Sequence, residues 1–212
     1  MTVSYPYALG FLSDRLRANQ VQLSIARFDE RSGSGDGRIW AAQLAPPLWQ
    51  LNLSLAARSA EDARALDARL HALDGSRGTF LWRDPTYRPA GGFVHGLEAV
   101  QITAISDDRT AISLSGLPVG YEIYAGDRIG ISFGEGRQYF ATFAEDAIAG
   151  ASGAVRPVGV FPYLPFGVNV GAAVELVAPV LKVIILPGGY TGFTQMPGGY
   201  GQGASLSLIQ RV

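Results

Sequence analysis

A single capped helix between two strand-like runs, spanning Pro47 to Pro85, constrains this chain more than any other feature. Trp49, Leu51, Leu53 and Leu55 alternate with Gln50, Asn52, Ser54 and Ala56, the period of two expected of a strand with one buried face. Ser59 then stops the strand and starts a helix. Its hydroxyl can accept from the N–H of Asp62, and Glu61 and Asp62 put negative charge in the first turn, where the helix dipole favours it. Leu66, Leu70 and Leu73 recur at spacings of four and three and predict one apolar stripe. Gly75 supplies the left-handed residue that ends many helices, and Thr79 to Trp82 resumes an extended apolar run. With one stripe to bury, a helix over residues 59–74 should cover a sheet built from strands before and after it.

Strand signals fill most of the remaining chain. Upstream, Tyr5 to Leu12 is aromatic and apolar and is expected to pack against the body of the fold or a neighbouring subunit. Val21, Leu23 and Ile25 then alternate with Gln22, Ser24 and Ala26, and Ile39 to Leu44 reads as the return strand. Gln20 to Leu44 is therefore predicted to be a hairpin with a flexible tip at Ser32–Gly37, and Pro46 and Pro47 are expected to break its ladder. Downstream, Asp107 and Asp108 join Glu98–Ser106 to Arg109–Leu114, and Gly134 to Gly136 joins Ile129–Phe133 to Gln138–Phe143. Ala154–Val158 and Ala172–Val177 complete about six short strands, the pattern of a small barrel or sandwich. Val180–Leu186 reads as a buried strand, Gly188–Gly203 as an ordered loop at best, and Ser205–Val212 as a last strand.

The proline- and glycine-bearing stretch Arg83–Gly92 is the best boundary. The expected fold is mainly β with one flanking α-helix. Residues 1–92 and 180–212 form a β-sandwich domain, and 93–179 form an inserted small β-barrel domain.

Several function classes are disfavoured. Absence of cysteine removes disulfides and thiolate metal sites, and the two histidines, His71 and His95, have no metal-ligand spacing. No metal or other cofactor is expected. Seventeen Lys and Arg against eighteen Asp and Glu leave a formal charge of −1, without the basic footprint of a nucleic-acid binder. No apolar run reaches the ~18 residues of a membrane span, and Met1–Gly10 lacks the basic start and long apolar core of a signal peptide, so folding in the cytoplasm is expected. No G-x-S-x-G occurs, and the glycines at 33–37 and 134–136 join strands rather than open a helix, with no Walker lysine. Asp107, Asp108, Glu145 and Asp146 provide carboxylates for glycoside hydrolysis, but acidic turns and a solvated face account for them more cheaply. Phe161, Tyr163, Phe166, Tyr190, Phe193 and Tyr200 suit a sugar-binding face, although core and subunit contact explain such rings more often.

The helix-centred stretch also resembles a known family. Trp49 in a strand, the acidic-capped helix ending in Leu73, Asp74 and Gly75, then Gly78 to Leu81 and the Asp84–Pro85 pair are similar to the N-terminal part of distal tail and minor tail proteins of long-tailed bacteriophages and gene transfer particles. Ala125 to Arg128, Ala144 to Ala154, and Pro157 and Val158 look like the small barrel many of them carry. Gly203 to Arg211 looks like the strand that closes their first domain.

The resemblance implies a non-enzymatic virion protein at the tail tip, assembled in the host cytoplasm. It would form a homohexameric ring through its first domain, below the tail tube. That ring joins the tail tube protein to the tail hub protein and adhesion apparatus, near the tape measure protein. DNA passes through such a ring without being read. Arg31 and Arg38 at the hairpin tip, and Tyr190, Phe193 and Tyr200 in the glycine-rich loop, are the candidate subunit contacts. The alternative expectation is a host-glycan-binding module of the tail tip.

Overall fold

The computed structural model describes residues 5–33, 35–92 and 95–212. A 3-10 turn (Ser13–Arg15) precedes β1 (Ala18–Gly33), β2 (Ile39–Leu55), β3 (Arg58–Ser59), helix α1 (Ala60–His71) and β4 (Phe80–Arg83). There follow β5 (Gln101–Ile105), β6 (Ala111–Ser115), β7 (Glu122–Ile123), β8 (Arg128–Phe133), β9 (Arg137–Phe143), β10 (Ala147–Ile148) and β11 (Val155–Phe161). Last come β12 (Val180–Thr191), β13 (Thr194–Met196), β14 (Tyr200–Gln202) and β15 (Ser205–Gln210). The protein is mainly β, with one α-helix among the described residues.

By internal contacts the chain divides into two compact units. One takes the N-terminal residues through Asp14, Phe80–Lys182 and Val212, and the other takes Arg15–Thr79 and Val183–Arg211. The sequence-based division at residues 92 and 179 follows composition, whereas this one follows packing. Phe93, where the sequence reading starts the inserted domain, and Ser34 of the predicted hairpin tip lie outside the described residues.

In the helix-containing unit, β1, β2, β15 and β12 lie side by side in that order, all antiparallel. Leu51 pairs with Leu23 on one side and Leu208 on the other, which fixes the register of three strands at one core position. Ser59 caps α1 by accepting from the Asp62 N–H at 3.2 Å, as the sequence predicts. Ala63, Leu66, Leu70 and Leu73 are buried. Part of that stripe lies on a second small sheet, β13-β14-β3. There Gly201 lets strand and helix close up, since a Cβ on it would stand 3.0 Å from Ala63 Cβ and 3.1 Å from Phe193 Cβ.

Two sequence expectations need correction here. The Gly188–Gly203 segment is structured rather than a loop: β12 runs on to Thr191, and β13 and β14 form a hairpin turning at Gly198 (φ 104°) and Gly199 (φ 78°). Glycine supplies the positive φ that a tight turn requires, so its abundance marked hairpin chemistry. Nor do Pro46 and Pro47 end a strand. β2 runs through them, because the ladder with β1 skips from Ala26↔Leu48 to Phe28↔Ala45 and the prolines sit where no N–H has to be donated.

The other unit is built on an antiparallel, curled sheet with strand order β5-β6-β11-β9-β8. Ile102, Ile112, Leu114, Ile129, Ile131, Phe143, Val158 and Val160 belong to its buried cluster. The predicted strand at 172–177 is instead a bridging segment. Ala173 pairs with Gln101 on β5 and Glu175 with Gly130 on β8, so it spans the two edges of the curled sheet. These bridges cover part of both edges of the curled sheet, and a covered edge cannot template pairing with another chain. Residues β7 and β10 add a two-residue ladder too short to read from alternation. Within the same unit Tyr7 bridges to Phe80, and Ser13 accepts from the Arg83 N–H at 3.0 Å, which ties the N-terminal segment to β4.

Candidate assembly surface

The β1–β2 hairpin changes character along its length. In its proximal half Trp49, Leu51, Leu53 and Leu55 are buried, while Gln50 and Asn52 are half-buried and Ser54 is exposed, so one face packs on the core. Beyond the proline bulge both faces face solvent. Arg27 to Gly33 and Ile39 to Leu44 are exposed in unbroken runs. Ile39, Trp40 and Leu44 leave 74%, 68% and 69% of their surface uncovered, and Phe28 leaves 37%. Trp40 and Ala42 point to one side of the ribbon, Ile39 and Ala41 to the other.

Among the described residues no third strand pairs with this distal half. Pairing of β2 with β15 ends at Gln50↔Ile209, and the next N–H, that of Trp49, donates to the buried Gln210 side chain at 3.2 Å. β1 is the edge strand of its sheet. The tip turns at Gly37 (φ 84°), where the Arg38 N–H donates to Asp36 at 3.2 Å and the Arg38 guanidinium stands 3.5 Å from the same carboxylate. A two-stranded ribbon with apolar side chains on both faces and open backbone edges is marginal by itself in water. Such a patch on a native protein marks an interaction site.

The five sequence-nominated contact residues fall in different places. Arg31, paired with Ala41, and Arg38 are exposed on the distal arm. Tyr190 is turned inward: its hydroxyl bonds to Asp67 of α1, and its ring meets His71 edge-on at 6.0 Å. Burial, and then that carboxylate, raise the Tyr190 hydroxyl pKa well above its ordinary value. Phe193 is 9% exposed, with the Arg58 guanidinium 5.1 Å from its ring centroid. Tyr200 pairs with Ser59 and Met196 and is 39% exposed. The structure therefore groups Arg31 and Arg38 with Phe28, Ile39, Trp40 and Leu44. By sequence these four apolar residues read as ordinary strand. The available signal was that Ile39 to Leu44 is apolar at both parities except Gln43, which a half-buried strand does not need.

A second exposed aromatic group belongs to the barrel-containing unit. Arg109, at the β5–β6 turn with φ 58°, donates to the carbonyls of Leu164, Pro165 and Val168 at 3.1, 2.8 and 2.6 Å. Buried Leu164 and Val168 anchor the same loop, which presents Tyr163 and Phe166 to solvent, Phe166 at 87%. Three of the four carboxylates considered for glycoside hydrolysis hold the backbone or neighbouring hydroxyls. Asp108 accepts from Ser106 and Thr110, Glu145 from the Gly159 N–H at 2.8 Å, and Asp146 from the Ala125 N–H at 2.7 Å. Among the described residues no group of three or more His, Asp or Glu could hold a metal, and no helix is long and apolar enough to cross a membrane. No protein-family model matches the chain, and no curated protein matches it.

Proposed function

We propose that this chain is a structural virion protein that closes into a ring at the distal end of a phage-type tail tube and connects the tube to the hub and adhesion apparatus. The distal β1–β2 arm carries the reading, because a ribbon exposing Ile39, Trp40 and Leu44 needs a second surface to cover it. In a ring of identical chains that surface is a different patch on the next copy, a heterologous contact repeated until it closes. The resemblance of the Trp49 to Pro85 stretch to distal tail proteins supplies the identity of the assembly. Tail tube, hub and tape measure proteins are the expected neighbours, a homohexamer the expected stoichiometry, and the tail tip the expected location. The role assigned is assembly rather than catalysis, and the lumen is expected to pass DNA without a dense lining of Arg.

Light scattering on the purified protein, alone and mixed with tube protein, tests the proposal. A mass that is a multiple of the 22.5 kDa chain is expected. A monomer that persists at high concentration with tube protein present would refute it.

One observation favours a second reading, a host-glycan-binding module. The loop held by Arg109 presents Tyr163 and Phe166 in a fixed arrangement, and exposed rings can stack on sugar faces. Glycan-array binding that disappears in Phe166→Ala would support it, and a blank array with folded protein would end it.

A further inference from the structure

Two stretches that the sequence singles out separately, Asp84–Pro85 and Ala125–Arg128, meet in one buried polar knot inside the barrel-containing unit. The Asp84 carboxylate receives the Arg128 guanidinium at 2.7 Å, with 17% and 5% of the Arg128 and Asp84 side chains exposed. Its other oxygen accepts from the Thr86 N–H at 2.8 Å and the Thr86 hydroxyl at 2.7 Å. Arg128 lies over the Tyr87 ring, 4.6 Å from its centroid, and the Arg128 backbone N–H donates to the Tyr87 hydroxyl at 2.7 Å. Asp127, also buried, accepts from the Ala90 N–H at 2.8 Å on one oxygen and from the Tyr124 N–H at 3.0 Å on the other. A Cβ on Gly91 would stand 2.4 Å from the Glu122 carbonyl oxygen, so the backbone of this segment lies directly against β7.

By composition, residues 84–92 are a linker, with two prolines and two glycines. The bonds make them something else. Burial alone would raise the Asp84 pKa, but the bonds from Thr86 and Arg128 outweigh it and hold the carboxyl below its usual range. Burial pushes the Tyr87 hydroxyl up to about 12. At neutral pH the ion pair therefore stays charged and the phenol stays protonated. Removing one partner would strand a buried charge, which costs more than the pair itself contributes.

We infer that Asp84, Tyr87, Asp127 and Arg128 form a clamp that fixes residues 84–92 to the β7–β8 turn, so that both segments open together as one cooperative unit. This inference is independent of the tail assignment. It predicts a shared opening event, which an ordinary flexible linker lacks.

Amide hydrogen exchange on the full chain tests it, comparing wild type with Asp84→Asn and Tyr87→Phe. In wild type the Thr86, Ala90, Tyr124 and Arg128 amides should be protected by a common factor relative to their free-chain rates. Asp84→Asn should accelerate all four together by about tenfold or more, although the Ala90 and Tyr124 amides donate to Asp127 rather than to Asp84. Unchanged Ile112 and Val160 amides would show that the barrel remains folded. Tyr87→Phe keeps the ring beneath Arg128 and removes one acceptor, so a smaller acceleration over the same set is expected. That variant decides the matter if Asp84→Asn does not fold. Free-chain exchange at Thr86 and Ala90 in wild type, or acceleration confined to the mutated residue's immediate partners, would overturn the clamp.

Discussion

The two halves of the β1–β2 hairpin share one ladder and separate only at a proline bulge, yet they meet opposite conditions. In the proximal half Leu51, Leu53 and Leu55 of β2 are buried and β15 continues the sheet. Among the described residues the distal half has no third strand, and Ile39, Trp40 and Leu44 are exposed on it. The difference teaches that apolar side chains in one strand can serve two tasks. Leu51 and Leu53 stabilise the subunit. Trp40 and Leu44, exposed on the arm, do little for it, and in the proposed ring they stabilise the contact with the next copy.

Substitutions at the two ends should break this symmetry of sequence most sharply. Leu51→Ala, at a fully buried position in a three-strand register, should cost about 2–5 kcal/mol in urea unfolding of the isolated chain. A cost as small as that of a surface change would show that the proximal half is not core. Gly201→Ala comes next, at about 1–3 kcal/mol, since its methyl group would press on Ala63 and Phe193. Measured neutrality there would mean that α1 is not seated on β14. Ser59→Ala should lower stability by about 1 kcal/mol through loss of the helix cap. The smallest effect on subunit stability, under about 0.5 kcal/mol, is expected for Trp40→Ser on the distal arm. In assembly the ranking should invert, with Trp40→Ser abolishing high-mass species and Ser59→Ala sparing them.

Much of this fold was legible from local signals. Alternation at Trp49–Leu55, the Ser59 cap and the Leu66–Leu70–Leu73 spacing each reflect physics within one element, and each reads correctly. What escaped depends on partners distant in the chain. Pro46 and Pro47 look like breakers until the bulge opposite Arg27 is known, and 172–177 looks like a strand until Gln101 and Gly130 are found on either side of it. The candidate surface was half legible for the same reason. Arg31 and Arg38 sit where a hairpin tip must be, while the inward turn of Tyr190 depends on Asp67 and His71 across the helix. Exposure of Trp40 likewise depends on where β15 stops, and the only local trace of it is the apolar character of Ile39 to Leu44 at both parities.

Electron micrographs of the purified protein, with Trp40→Ser/Leu44→Ser prepared alongside, test the central claim most directly. The account predicts closed rings of one symmetry for the natural chain and dispersed, folded single subunits for the double variant. Rings formed equally well by both proteins would contradict the assignment of assembly to the arm, and the absence of rings from the natural chain even with tube protein would contradict the assembly itself.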